Sequence, residues 1–135
     1  MNPLLTAKGK WFVGDREMKI ITDTDFIKFY LWLFRRGTYN IYKMNLPKYL
    51  AHIGIINEKI HNKDCSDYKY LNGREVWFKY DPSGNFGGYL KGFRNFWLDC
   101  FVEEGEEIQR EFGIEDKTEG FARFHITIAN NKNIK

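Results

Sequence analysis

The stretch Phe124-His125-Ile126-Thr127-Ile128-Ala129 decides the predicted fold of this chain. Apolar and polar residues alternate in it, which is the period of two expected of a half-buried β-strand. The side chains of His125 and Thr127 should therefore project from the exposed face, one strand repeat apart. An imidazole that can carry a proton would then lie beside a hydroxyl that can hold an oxyanion.

A similar stretch lies upstream, at Ala51-His52-Ile53-Gly54-Ile55-Ile56. It again places a histidine among alternating β-branched residues, and Pro47 leads into it. The two histidines are 73 positions apart (125 − 52 = 73), each preceded by a predicted helix and strand set. Two such units predict a pseudo-symmetric fold in which both imidazoles meet in one cleft. Two facing histidines can act as general base and general acid at a phosphodiester without a metal ion.

Length and composition limit the class of protein. The 135 residues are expected to form a single domain, residues 1–135. A net charge of +3 and the lack of any Lys/Arg run of five argue against a duplex-DNA binder and favour a small anionic ligand. Aromatic residues make up 18% of the chain, and a minority near a cleft can stack on nucleobases. The candidates for such stacking are Trp11, Tyr49, Phe86 and Tyr89.

Other sequence features predict a plain cytoplasmic protein. Cys65 and Cys100 lack metal-ligand spacing and are expected to be small buried residues in a reduced compartment. The glutamates of residues 103–107 are best explained by the first turns of a helix, so no metal and no cofactor are expected. There is no apolar run of 18 residues and no signal-peptide pattern, so no membrane partner is expected either.

Periodicity and capping residues predict an α+β chain. The predicted strands are residues 10–13, 18–21, 49–56, 75–80, 93–102 and 123–129, and the predicted helices are residues 22–36 and 103–112. Residues 39–44 are expected to be a strand or an extended connection. Residues 57–70 are expected to be a loop, and the Gly-rich segment 81–92 a lid or binding loop.

These motifs resemble the 2H phosphoesterase superfamily, which is defined by two His-Φ-Thr/Ser-Φ motifs, where Φ is apolar. The chain is most similar to the branch of Swiss-army-knife RNA repair-like proteins of phages, other viruses and bacteria. The likeness covers roughly residues 46–130. The stretches that carry it are residues 46–58, 70–80, 96–100, 108–114 and 124–130.

The resemblance implies a bilobal α+β fold with a pseudo-two-fold, in which two antiparallel sheets form a central cleft and the helices lie outside. It implies that His52 and His125 are the catalytic acid and base, in either order, and that Thr127 binds a non-bridging phosphate oxygen. The implied substrates are 2′,3′-cyclic phosphates, 2′-5′ linkages, RNA ends and cyclic oligonucleotides. Some phage members destroy cyclic nucleotide signals of bacterial immunity, so a viral protein of this kind would act in the host cytoplasm.

One position departs from the family pattern. Gly54 stands where the first motif has Thr or Ser, and the loss of one such contact costs on the order of 3 kcal/mol, or about a hundredfold in rate. A glycine amide or a nearby Lys or Tyr can replace the hydroxyl. Two alternatives to an enzyme therefore stay open. One is a weakened protein of this fold that binds or sequesters nucleotides or RNA ends, and the other is an interaction domain whose histidines have no role.

Overall fold

The computed structural model describes residues 3–36, 52–88, 94–115 and 123–130. The strands are β1 Leu5–Val13, β2 Met18–Thr22, β3 His52–Ile56, β4 Glu75–Tyr80, β5 Asn85–Gly88, β6 Arg94–Phe101 and β7 Phe124–Asn130. The helices are α1 Thr24–Arg36, α2 Glu58–His61 and α3 Glu103–Glu111, with a 3-10 helix at Ser66–Leu71. The predicted strand at 39–44 and the lead-in at Pro47 lie outside the described residues.

All seven strands belong to one antiparallel sheet, in the order β4-β1-β2-β3-β7-β6-β5. Strand β4 pairs with β6 as well as with β1, through Lys79 with Phe101 and Tyr80 with Cys100. Six strands therefore close into an antiparallel barrel, and β5 is attached to β6 beside the ring.

The expected bilobal fold of two sheets with a pseudo-two-fold is therefore wrong. Strand β1 explains why. It pairs with β4 along Leu5–Lys10 and with β2 along Gly9–Val13, so its nine residues join the two sides of the chain in one sheet. Alternation in the sequence identifies the buried face of each strand, but it does not identify the strand's neighbours.

One face of the sheet is buried, and helices α1 and α3 pack on it. The hydroxyls of Tyr30 on α1 and Tyr80 on β4 lie 2.7 Å apart, and the rings of Phe34 and Phe96 are 4.5 Å apart. Burial of a large aliphatic side chain contributes about 1.5–3 kcal/mol, so the apolar set of each strand fixes which face it turns inward. The largest fully buried side chains are Met18, Ile20, Ile53, Ile55, Ile56, Cys65, Leu98, Val102, Phe124, Ile126 and Ile128.

Two predicted loops contain regular structure. Residues 57–70 include α2 and most of the 3-10 helix, and the predicted lid at 81–92 includes β5, in which Asn85 pairs with Trp97 of β6. Glycine-rich segments carry a weak strand signal because glycine has no side chain to pack. The pairing of β5 with an existing edge of the sheet therefore could not be predicted from composition.

Candidate active site

The two histidine strands are direct neighbours. Ile53 of β3 and Ile126 of β7 are antiparallel cross-strand partners, and both are fully buried. Because the strands are antiparallel, the residues on either side of this pair also face each other. His52 therefore lies opposite Thr127, and Gly54 lies opposite His125. Cross-strand partners share a face, so these four positions lie together on the face away from the core. We call this the histidine face.

The two imidazoles are diagonal neighbours on the histidine face. Diagonal pairs on adjacent antiparallel strands lie roughly 7 Å apart, which leaves room for a phosphate group between them. The side chains of His52 and Thr127 are half-buried, and that of His125 is accessible to solvent. The structure thus brings together all three residues predicted to be catalytic: His52, His125 and Thr127.

The environment of His125 keeps its imidazole neutral. Burial is the largest cause that lowers the pKa of His125, and the charge of His52 lowers it further, while the charge of Asp99 opposes both. The exposure of the imidazole and the effect of burial on its pKa together indicate partial enclosure by neighbouring protein. At neutral pH this imidazole is therefore ready to accept a proton.

Strand β6 adds a carboxylate that the sequence analysis missed. Asp99 is the cross-strand partner of His125, and Trp97 is the partner of Thr127. The indole Nε1 of Trp97 donates a hydrogen bond of 3.2 Å to Oδ1 of Asp99, which holds the carboxylate on the histidine face. In the sequence Asp99 is an acid between two apolar residues, Leu98 and Cys100, and this pattern does not identify its cross-strand partner.

Strand β2 borders the other side of the site. Lys19 is the cross-strand partner of Gly54, and Ile21 is the partner of His52. The Lys19 ammonium lies 3.7 Å from the carboxylate of Glu17 and 5.0 Å from the centre of the Phe12 ring. A basic side chain therefore stands on the histidine face, one strand away from the motif's missing hydroxyl.

Gly54 leaves open space at the site. A Cβ atom built at this position would meet no atom within 4 Å among the described residues, and the residue is exposed. Crowding therefore does not account for the absence of a Thr or Ser side chain there. The space is continuous with the side chains of Lys19 on one neighbouring strand and His125 on the other, because both are partners of Gly54.

Trp11, the one base-stacking candidate whose side chain the structure describes, does not lie at the histidines. Trp11 lies on the core side of β1, where it is buried and its indole donates a hydrogen bond of 3.3 Å to Oε2 of Glu104. The backbone of Phe86 in β5 pairs with that of Phe96 in β6, and the side chain of Phe86 is not among the described parts of the chain. Tyr49 and Tyr89 are outside the described residues.

A partly buried hydrogen-bond network connects the two histidine strands on their core side. Gln109 of α3 donates from Nε2 to the Ile55 carbonyl at 2.8 Å, and its Oε1 accepts from Nε of Arg123, the residue before β7. Arg123 also donates from Nη2 to the Ile114 carbonyl at 3.1 Å. One side chain thus connects β3 to the start of β7, which fixes the relative positions of the histidine motifs.

Neither a metal centre nor a spanning helix emerges from the described parts of the chain. No three His, Cys, Asp or Glu side chains in these parts are grouped so that they could hold a metal ion. None of the helices in these parts is long and apolar enough to cross a membrane.

No family model, curated protein or solved structure matches this chain.

Proposed function

We propose that the protein is a phosphodiesterase that cleaves a nucleotide or RNA phosphodiester by two-histidine acid/base catalysis without a metal ion. The observation that carries the proposal is the diagonal placement of His52 and His125 on neighbouring strands, with Thr127 directly opposite His52. A base and an acid on either side of one phosphate are what in-line displacement at phosphorus requires. The likeness of both strands to the 2H phosphoesterase motifs points to the same chemistry.

In the proposed reaction His125 is the general base. Its lowered pKa leaves the imidazole neutral, so it takes the proton from the attacking water or ribose 2′-hydroxyl. His52 gives its proton to the departing oxygen as the phosphorus–oxygen bond breaks. The hydroxyl of Thr127 donates a hydrogen bond to a non-bridging oxygen, whose negative charge grows in the transition state. The carboxylate of Asp99 stabilises the imidazolium that forms at His125.

The proposed substrates share a phosphodiester in which at least one ester oxygen belongs to a ribose. They are 2′,3′-cyclic phosphates, 2′-5′ linked oligonucleotides and cyclic oligonucleotides, and the last class would include an immune signal if the protein is viral. All of them offer a leaving oxygen that needs a proton, which is the role given to His52. The mild positive charge of the chain suits anions of this size.

The open space at Gly54 favours a second candidate, a protein that binds these ligands and turns them over slowly or not at all. Because the second hydroxyl of the motif is absent, the transition state would have one hydrogen bond fewer than in the family pattern. Ground-state binding depends less on that contact than catalysis does. A nucleotide or RNA end could then be sequestered on the same histidine face.

A turnover screen in EDTA tests the proposal. The protein is incubated with 2′,3′-cyclic mononucleotides, 2′-5′ oligoadenylate and cyclic di- and trinucleotides, and the products are resolved by chromatography. His52→Ala and His125→Ala should each lower turnover by about a hundredfold or more. His61→Ala is the matched control, because Nδ1 of His61 accepts a hydrogen bond of 2.9 Å from the Asn57 backbone at the start of α2.

Each outcome distinguishes the candidates. Cleavage that survives EDTA, persists in His61→Ala and disappears in the other two variants supports the phosphodiesterase. Retention of one of these ligands without cleavage, lost in His125→Ala, supports the binding protein. A chain that neither cleaves nor binds any member of the panel would contradict both candidates and leave the interaction domain.

A further inference from the structure

We infer that Lys19 supplies the phosphate contact that the motif's second hydroxyl would otherwise make. This inference rests on the proposed use of the histidine face to hold a phosphate. It assigns to a residue of β2, outside both histidine motifs, the task of binding one non-bridging oxygen while Thr127 binds the other. The side chain that compensates for Gly54 then comes from the neighbouring strand.

The strand register places Lys19 directly beside Gly54. Lys19 and Gly54 are cross-strand partners, and His125 is the partner of Gly54 on the other side. Adjacent strands lie about 4.8 Å apart. The four-carbon stem of a lysine is longer than this spacing, so the ammonium can pass over Gly54 and reach a phosphate beside His125.

Glycine at position 54 keeps that path open. A Cβ atom there would meet no described atom within 4 Å, so the position directly over Gly54, between Lys19 and His125, is unobstructed by the described residues. A threonine at position 54 would itself provide the hydroxyl but would occupy part of the same path. The two solutions are therefore alternatives, and the combination of Gly54 with Lys19 gives a positively charged contact in place of a neutral one.

The present contacts of Lys19 do not prevent this movement. Its ammonium is 3.7 Å from Glu17, and both side chains are partly exposed. Exposed ion pairs of this kind contribute about 0–1 kcal/mol, so rotation of the side chain away from Glu17 costs little. A phosphate oxygen is a charged acceptor like the Glu17 carboxylate, so the ammonium exchanges one charge-assisted contact for another.

The chain contains a closely matched control in Lys8. Its ammonium also lies beside a glutamate, 3.4 Å from Glu75, and over an aromatic ring, 5.6 Å from the centre of Trp77. Lys8 is on β1 and pairs with Trp77 of β4, so it does not border β3. Its replacement changes the net charge equally without touching the strand that carries Gly54.

The test measures phosphate binding directly at the histidines. Inorganic phosphate and adenosine 3′-monophosphate are titrated into the full chain, and the imidazole C–H resonances of His52 and His125 are followed by NMR. Lys19→Gln should weaken binding of both probes about tenfold, whereas Lys8→Gln should weaken it less than about twofold. Gly54→Thr added to Lys19→Gln should restore a large part of the lost affinity, because a hydroxyl then replaces the ammonium.

The results separate this inference from the proposed function. Equal effects of Lys19→Gln and Lys8→Gln, or probes that shift neither histidine, would overturn it. Phosphate binding that depends on Lys19 without turnover of any substrate would leave this inference standing and contradict the phosphodiesterase. If Lys19→Gln turns over a substrate from the EDTA screen as fast as the wild-type protein does, the phosphodiesterase is supported and this inference is contradicted.

Discussion

Asp99 and His125 are cross-strand partners on β6 and β7, so the carboxylate and the imidazole leave the same face of the sheet. The charge of Asp99 raises the pKa of His125, while burial and the charge of His52 lower it. The lowering causes prevail, which gives a neutral imidazole with a carboxylate ready to stabilise its protonated form. That is the combination a general base needs during turnover.

Replacement of the carboxylate should make His125 a weaker base. Asp99→Asn removes the one cause that raises the pKa of His125, so this pKa should fall further below its usual value. The acidic limb of the pH–rate profile should move to lower pH, and kcat should fall by roughly tenfold. NMR titration of the His125 imidazole measures the shift directly.

A second carboxylate provides the control for that experiment. Asp64 accepts hydrogen bonds from the backbone and hydroxyl of Ser66 in the segment before the 3-10 helix, and it does not contribute to the pKa of His125. Asp64→Asn should leave both the imidazole titration and the rate profile unchanged. If Asp99→Asn also leaves the pKa of His125 unchanged, the role given to Asp99 is wrong.

Introduction of the missing hydroxyl should improve stability, and it should improve the rate when Lys19 is replaced. Gly54→Thr places a β-branched residue at an exposed strand position where a Cβ atom meets none of the described residues within 4 Å. Removal of a strand glycine should add about 0.5–1 kcal/mol to the free energy of unfolding. Where turnover is detectable, Gly54→Thr added to Lys19→Gln should raise kcat by up to about a hundredfold, because the second oxygen contact is lacking in that background.

The same substitution at another strand glycine should have the opposite effect. A Cβ atom at Gly9 would lie 2.5 Å from Cγ2 of Ile20 and 2.9 Å from the Ile21 carbonyl oxygen. Gly9→Thr should therefore lower the midpoint of thermal unfolding, whereas Gly54→Thr should raise it. A fall in the midpoint for both variants would contradict the open space described at Gly54.

Close packing of α3 should make Gly105 sensitive to a single methyl group. A Cβ atom there would lie 2.8 Å from Cδ1 of Ile55 and 3.2 Å from the ring of Phe124, which are residues of the two histidine strands. Gly105→Ala gains about 1 kcal/mol of helix propensity, but overpacking costs about 1–3 kcal/mol, so a net loss of stability is expected. Urea unfolding measures it. Glu107→Ala, at an exposed position of the same helix, should change the free energy of unfolding by less than about 0.5 kcal/mol.

The lowered pKa of His125 should also make stability depend on pH. The unfolded chain, with a histidine pKa near 6.5, binds more protons at mildly acidic pH than the folded chain does, so stability rises with pH there. The folded protein should lose stability as pH falls from about 6.5 through the lowered pKa. His125→Gln should show a shallower loss over this range. Some dependence should persist, because burial also lowers the pKa of His61.

Urea unfolding at a series of pH values between about 7.5 and about 5 gives the free energy of unfolding as a function of pH. The slope of this dependence is compared between the wild-type protein and His125→Gln. Parallel slopes for the wild-type protein and His125→Gln would mean that His125 titrates alike in the folded and unfolded chains. The explanation offered for its neutral state would then fail.

The faces of the histidine strands could be predicted from the sequence, but their neighbours could not. Alternation around Ile53 and Ile126 was enough to place His52, His125 and Thr127 on the face away from the core. Burial of the isoleucines determines which face of each strand turns inward. The arrangement of the strands depends on β1, whose two halves pair with different strands. No local pattern in Leu5–Val13 encodes that division.

The contribution of Asp99 depends on register, which is still less visible in the sequence. The pairing of β6 with β7 shifts between Phe96 and Trp97, so that Phe96 pairs with Ala129 while Trp97 pairs with Thr127. A shift of one residue decides which side chain of β6 stands opposite His125. The cross-strand partner of His125 was therefore out of reach of sequence reasoning.

The adjacency of β3 and β7 also governs when the site forms. Its two imidazoles belong to segments separated by 73 positions (125 − 52 = 73), and neither segment can present the pair by itself. Pairings between such distant segments form slowly, because the chain loses the entropy of a large loop before the contact repays it. The proposed recognition of a nucleotide by both histidines thus requires the completed ring of strands, and its recovery after dilution from denaturant would report the pairing of β3 with β7.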